Sequence, residues 1–172
     1  MSNQPIALRP HDVCVALQLS LVGKTNFRDL ASSVGLSLGE THNATKRLGA
    51  ARLVSPDSSS TNRRALLEFL VFGVPHAFPG QLGPETRGVP TAHSGPDLSG
   101  VVLHSEPVVW PSRLGEARGA SLAPLCKGAP AMKERNPELY RLLTVVDALR
   151  IGRARERSIA QELLEKLLLD AR

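Results

Sequence analysis

Nine of the 13 prolines of this 172-residue chain fall between Pro75 and Pro130. Proline removes a backbone donor and crowds the preceding turn, so long helices are confined to the two flanks. The chain therefore divides into residues 1–74, an arm 75–128 rich in Pro and Gly, and residues 129–172. Stretches of regular helical periodicity lie only in the outer two segments.

In the first segment "HDVCVALQLSLVG" (11–23) predicts a helix, with Val13, Leu17 and Leu21 at four-residue spacing and Pro10 and Asp12 at its start. "FRDLASSVG" (27–35) predicts a second. Asn26 is its cap, Leu30, Ala31 and Val34 form the inner face, and Gly35 ends it. Ser37 and Glu40 form a capping box that opens a third helix, 37–49, whose inward side is Thr41, Ala44, Thr45 and Leu48. "RLVS" (52–55) reads as a short strand, "PDSSST" as a turn, and "NRRALLEFLVFGV" (62–74) as a fourth helix. In the arm, "PHAFPGQLGPETRGVPTAHSGP" excludes helix. "GVVLHSEPVVW" (100–110) reads as one or two short strands broken by Pro107. Val89, Leu98, Val101, Leu103, Val108, Val109 and Trp110 favour an ordered arm over a mobile linker. Helix returns over 136–150, capped by Asn136, and over 153–171, where Leu163, Leu164, Leu167, Leu168 and Leu169 form a stripe. That stripe is broad enough to predict a homodimer seam.

Charge narrows the partners. The formal net charge is +5, with eight Lys/Arg against five Asp/Glu in 1–74, four of each in 75–128, and nine against seven in 129–172. A basic surplus at the two ends favours an anionic partner, nucleic acid above all. Aromatics are only 3% of the chain, which argues against single-stranded binding by base stacking. Cys14 and Cys126 make no CxxC pair, so neither a disulfide framework nor a zinc site is expected. His76, His93 and His104, with Cys126, match no metal spacing. "GPETRG" (83–88) lacks the GK[ST] of a phosphate loop, and no GxSxG frames a serine. No cofactor and no catalytic activity are expected. The chain opens on no signal sequence and has no apolar run of bilayer length, so a cytoplasmic protein without a membrane partner is expected.

Helix, short turn, helix, strand and turn is the order of a winged helix-turn-helix. Over residues 10–74 the sequence resembles the DNA-binding domains of bacterial winged-helix regulators of the MarR and related classes. The resemblance rests on Leu30 and Ala31, Gly35-Leu36-Ser37, Thr41, Leu48 and Leu53-Val54. Thr41 stands where those regulators often carry a larger aliphatic residue, and Gly39 lowers helix propensity. The resemblance implies a winged helix-turn-helix domain over the first segment; with the arm of short strands and the C-terminal helical pair read above, a mainly α fold is expected. It also implies a recognition helix in the major groove of duplex DNA, with Leu38, Gly39, His42, Asn43, Lys46 and Arg47 outward and Ser37 at its start among the DNA-contact candidates. Asn pairs well with adenine, and basic side chains reach guanine or phosphate. Arg52, Arg63 and Arg64 are the expected phosphate contacts. The function expected is a sequence-specific, homodimeric transcription regulator. Its rivals are a winged-helix protein-interaction module, such as an antitoxin-like adaptor docking a partner through 75–172, and an enzyme using the central His, Cys and Arg residues.

Overall fold

A computed structural model describes residues 3–103 and 106–170. Its architecture is mainly helical with one small three-stranded sheet. The first three helices are α1 (Pro10–Val22), α2 (Phe27–Val34) and α3 (Leu38–Ala50). They pack against one another in all three pairings. Asn26 caps α2 by accepting from Asp29 N–H at 2.9 Å, and Gly35 ends it in the left-handed region at φ 69°. A side chain in that conformation would be strained, which is why glycine closes the helix there.

The expected strand at 52–55 is reduced to one antiparallel bridge, Val54 to Thr61. Only Leu53 and Val54 are apolar before Pro56, too few residues to carry a ladder. The turn itself forms as expected. Asp57 accepts from the Ser55 and Ser59 hydroxyls, both at 2.7 Å, and from Ser59 N–H. Those bonds favour the charged carboxylate and pull its pKa down to about 2.

The fourth helix does not stop at Pro75. α4 (Arg63–Glu68) widens into a π-helical turn, Phe69–Gly73, and continues as α5 (Val74–Ala77). An i→i+5 turn gives the Pro75 ring room and leaves no α-helical partner waiting for its missing N–H.

The arm is ordered, and part of its sheet lies where no strand was expected. β1 (Leu82–Pro90) runs through the Gly/Pro-rich stretch that includes 83–88. β2 is Val108–Pro111 and β3 is Ala117–Leu122. β1 pairs antiparallel with both: Leu82 to Leu122 through Gly88 to Ala117 on β3, then Gly88 to Pro111 through Pro90 to Val109 on β2. β2 and β3 pair in parallel, so the three strands close on themselves. A bulge between Gly83 and Glu85 accommodates Pro84, which cannot donate to the ladder. Closure needs glycine at 88, because a Cβ there would collide with the Trp110 carbonyl. Val89, Leu98, Val108, Val109 and Trp110 are buried as expected, but Leu103 is 95% and Val101 53% exposed.

α6 (Ala129–Arg135), α7 (Pro137–Ile151) and α8 (Ala154–Leu169) complete the chain. α1 and α7 are packed together at the centre, and nearly every side from Asp12 to Ser20 and from Leu139 to Leu149 is buried. Asn136 caps α7 and also donates to Gln18 of α1 at 2.8 Å. One hydrophobic core therefore draws on all three sequence segments. Buried Asp147 on α7 fastens the sheet to it, accepting from Trp110 Nε1 at 2.6 Å, Thr91 Oγ1 at 2.7 Å and Arg150 at 2.7 Å. Burial pushes its carboxyl pKa up against the pull of these donors.

The leucine stripe of the last helix is largely used inside the chain. Ala160, Leu164 and Leu168 are buried against α4 and α7, and Ile159, Leu163 and Leu167 pack at the margin of the same core. Leu169 alone remains 39% exposed. The free apolar face that suggested a homodimer seam is thus absent from α8. Cys14 and Cys126, distant in sequence, are both buried in the core. Burial, followed by the neighbouring Cys126, raises the Cys14 pKa.

Candidate nucleic-acid interface

The α3 helix is fixed at its start by a reciprocal cap. Glu40 N–H donates to Ser37 Oγ at 3.2 Å, while the Ser37 N–H and hydroxyl donate to the Glu40 carboxylate at 3.0 and 2.7 Å. The Ser37 hydroxyl holds the Glu40 pKa below the usual carboxylate range. Ser37, a DNA-contact candidate on sequence grounds, has its hydroxyl engaged in this cap. On the inner side Thr41, Ala44, Thr45 and Leu48 are buried. The two threonine hydroxyls bond back to Ser37 and His42 carbonyls, both at 2.9 Å. This return bond is what lets Thr41 occupy an aliphatic position without an orphaned oxygen.

On the outer side Leu38, Gly39, His42, Asn43 and Lys46 are exposed together. His42 lies edge-on to Phe27 of α2, ring centroids 5.3 Å apart. A Cβ at Gly39 would meet nothing within 4 Å, so no contact inside the chain requires glycine there.

Two expected contacts prove to be tied into the fold. Arg47 turns inward and grips the buried Asp12 of α1 with two bonds, Nε to Oδ2 at 2.8 Å and Nη2 to Oδ1 at 2.7 Å. The Asp12 bond raises the guanidinium pKa further. Asp12 also accepts from Arg9 N–H, so one carboxylate starts α1 and anchors α3. Arg63 donates to the Leu168 carbonyl at 2.8 Å and the Ser20 carbonyl at 2.7 Å, binding α4 to α8 and α1. Neither guanidinium is presented as a free phosphate contact. Helical phase puts residue 47 at the edge of the outward face, and its partner lies 35 positions earlier, out of reach of local pattern reading. Arg52 and Arg64 are exposed, Arg52 in the left-handed conformation (φ 61°) just after α3.

Residues outside 1–74 also border this region. The loop before α6 presses on the turn between α2 and α3. A Cβ at Gly35 would lie 3.5 Å from the Gly128 Cα, and Met132 packs on the same spot. Among the described residues no cluster of His, Cys, Asp or Glu is placed to hold a metal ion, and His104 lies outside those residues. No described helix is long and apolar enough to cross a membrane. No protein-family model, curated protein or solved structure matches this chain.

Proposed function

We propose that this chain is a sequence-specific duplex-DNA-binding transcription regulator, a binder and not an enzyme, that lays the outer face of α3 in the major groove. The carrying observation is the division of α3. His42, Asn43 and Lys46 are exposed side by side, while the opposite face is locked by Leu48, two back-bonded threonines and the Asp12–Arg47 pair. A helix held that firmly can present hydrogen-bonding side chains to base edges at little entropic cost. Gly39, open on the same face, permits close approach of a phosphate or base. Arg52 and Arg64 remain available for phosphate, and the hairpin tip, which carries Asp57 and no cation, is unsuited to the minor groove.

Pairing belongs to this reading as well. One helix of this length reads few bases, and a two-fold dimer sets two such helices in successive grooves. Since the α8 leucines are spent on the core, pairing has to use another surface, and sedimentation with and without DNA tests it. The direct experiment is selection of bound fragments from random duplex DNA, followed by salt titration. Asn43→Ala should lower affinity for the selected site by about 1–3 kcal/mol while sparing scrambled DNA. Equal binding of both proteins to both sequences rejects the reading.

A protein-interaction module is the second reading. It draws on Leu114, 86% exposed, which borders a cleft of about 390 Å³ with Val89, Pro90 and Ala131.

A further inference from the structure

We propose that the duplex-gripping surface extends beyond the first 74 residues onto α6 and its lead-in, where Lys127 and Arg135 close on the phosphate backbone beside α3. The inference rests on the duplex-binding reading above. It starts from a shortage of cations. Arg47 and Arg63 are engaged inside the fold, the hairpin offers none, and the exposed start of α3 carries the Glu40 carboxylate, which repels phosphate. Phosphate contacts supply most of the affinity of a DNA-binding surface. With Arg28 of α2, which follows the Phe27 that touches His42, the exposed cations near this face are Arg28, Lys46, Arg52 and Arg64, still a sparse supply for a phosphate grip.

The tertiary structure brings two more cations to the same turn. A Cβ at Gly128 would stand 3.2 Å from the Val34 carbonyl and 3.5 Å from the Gly35 Cα, so the 126–129 loop abuts the α2–α3 connection. Lys127, next to Gly128, is exposed there, and its charge reaches Glu40 and helps lower that carboxyl's pKa. It thereby offsets the one carboxylate in the α3 cap. Arg135, at the end of α6, is exposed beside α2. It shares a hollow of about 440 Å³ with Ser32 and Ser33 of α2, and its neighbour Asn136 donates to the Ser33 carbonyl at 3.5 Å. Among the described residues neither Lys127 nor Arg135 makes a hydrogen bond or ion pair that would hold it away from DNA. Glu134 is the single carboxylate of α6. Lys127 thus stands at the α2–α3 turn and Arg135 beside the second half of α2, two positions from which cations can reach phosphates next to a groove-bound α3.

The test measures the salt dependence of binding to the selected duplex and to a scrambled one. Wild type is compared with Lys127→Ala, Arg135→Ala, the double variant and the charge-keeping pair Lys127→Arg with Arg135→Lys. Each alanine should weaken both duplexes by the same factor and flatten the plot of log affinity against log salt by about 0.9. The charge-keeping pair should retain the wild-type slope. Circular dichroism checks that these surface variants stay folded. If wild type selects a site and the double alanine variant keeps the full slope, α3 still reads DNA and the extension is wrong. If wild type shows no salt-dependent duplex binding, both fall together.

Discussion

Gly39 is the residue whose cost is easiest to isolate. It sits in the first turn of α3 with open space where a Cβ would project, so nothing within the chain explains it. Gly39→Ala should stabilise the folded protein by about 1 kcal/mol through helix propensity. If the face lies in a groove, the same change should weaken duplex binding. Opposite signs in a melting curve and a binding titration mark a glycine retained for close approach; a gain in stability with unchanged binding removes that role. Arg47 behaves in the other way. Its alanine variant would strand the Asp12 carboxylate, 1% exposed, without its partner. Breaking a buried pair from one side costs about 3–5 kcal/mol. Urea unfolding of Arg47→Ala should show a loss near the lower bound, since the guanidinium is 16% exposed, and a Asp12→Ala/Arg47→Ala cycle should recover part of it.

At the scale of elements, the arm depends on close backbone approach. β1 pairs with two strands over nine residues, and at Gly88 it passes against the Trp110 carbonyl and the Gly115 backbone. Gly88→Ala would press on the Trp110 main chain and on the Val109 Cβ, neither of which is the far end of a flexible side chain. Destabilisation of about 3 kcal/mol or more is expected, with overpacking the cause. Near-ultraviolet circular dichroism of Trp110, the only tryptophan, reports on the sheet directly. A variant that melts like wild type with an unchanged Trp110 signal contradicts the closed three-strand arrangement.

For the molecule as a whole, the proline-rich arm divides the sequence but not the core. α1 is enclosed by α2, α3 and α7, and α8 covers α4. A fragment of residues 1–74 would uncover the side of α1 that packs on α7, where Gln18 accepts from Asn136. It should show no cooperative unfolding transition, whereas the full chain should show one. Truncation after Gly152 should likewise unfold the chain and not simply separate a dimer, because Ala160, Leu164 and Leu168 are completely or almost completely buried within one chain. A sharp thermal transition in either fragment would locate an independent folding unit.

Which of these features the sequence could decide follows from the range of the forces behind them. Helix boundaries at Asn26, Gly35, Ser37 with Glu40, and Asn136 are set by caps acting over three or four residues, so they were legible in the order of residues. So were the exposed and buried sides of α3, since helical phase alone separates His42, Asn43 and Lys46 from Thr41, Thr45 and Leu48. β1 was hidden because a strand rich in Gly and Pro lacks alternation, and β3 because Ala117–Leu122 holds only small and polar residues before Leu122; only pairing with distant partners makes them strands. Continuation of helix past Pro75 required a π-turn that no local preference announces. The fates of Arg47 and Arg63 were decided by Asp12 and by carbonyls of α1 and α8, 35 and as many as 105 positions away. The position of Lys127 beside the α2–α3 turn was settled only when α6 packed there. Local hydrogen bonds and periodicity fix elements from sequence; which charges are consumed inside and which face a partner is a property of the packed chain.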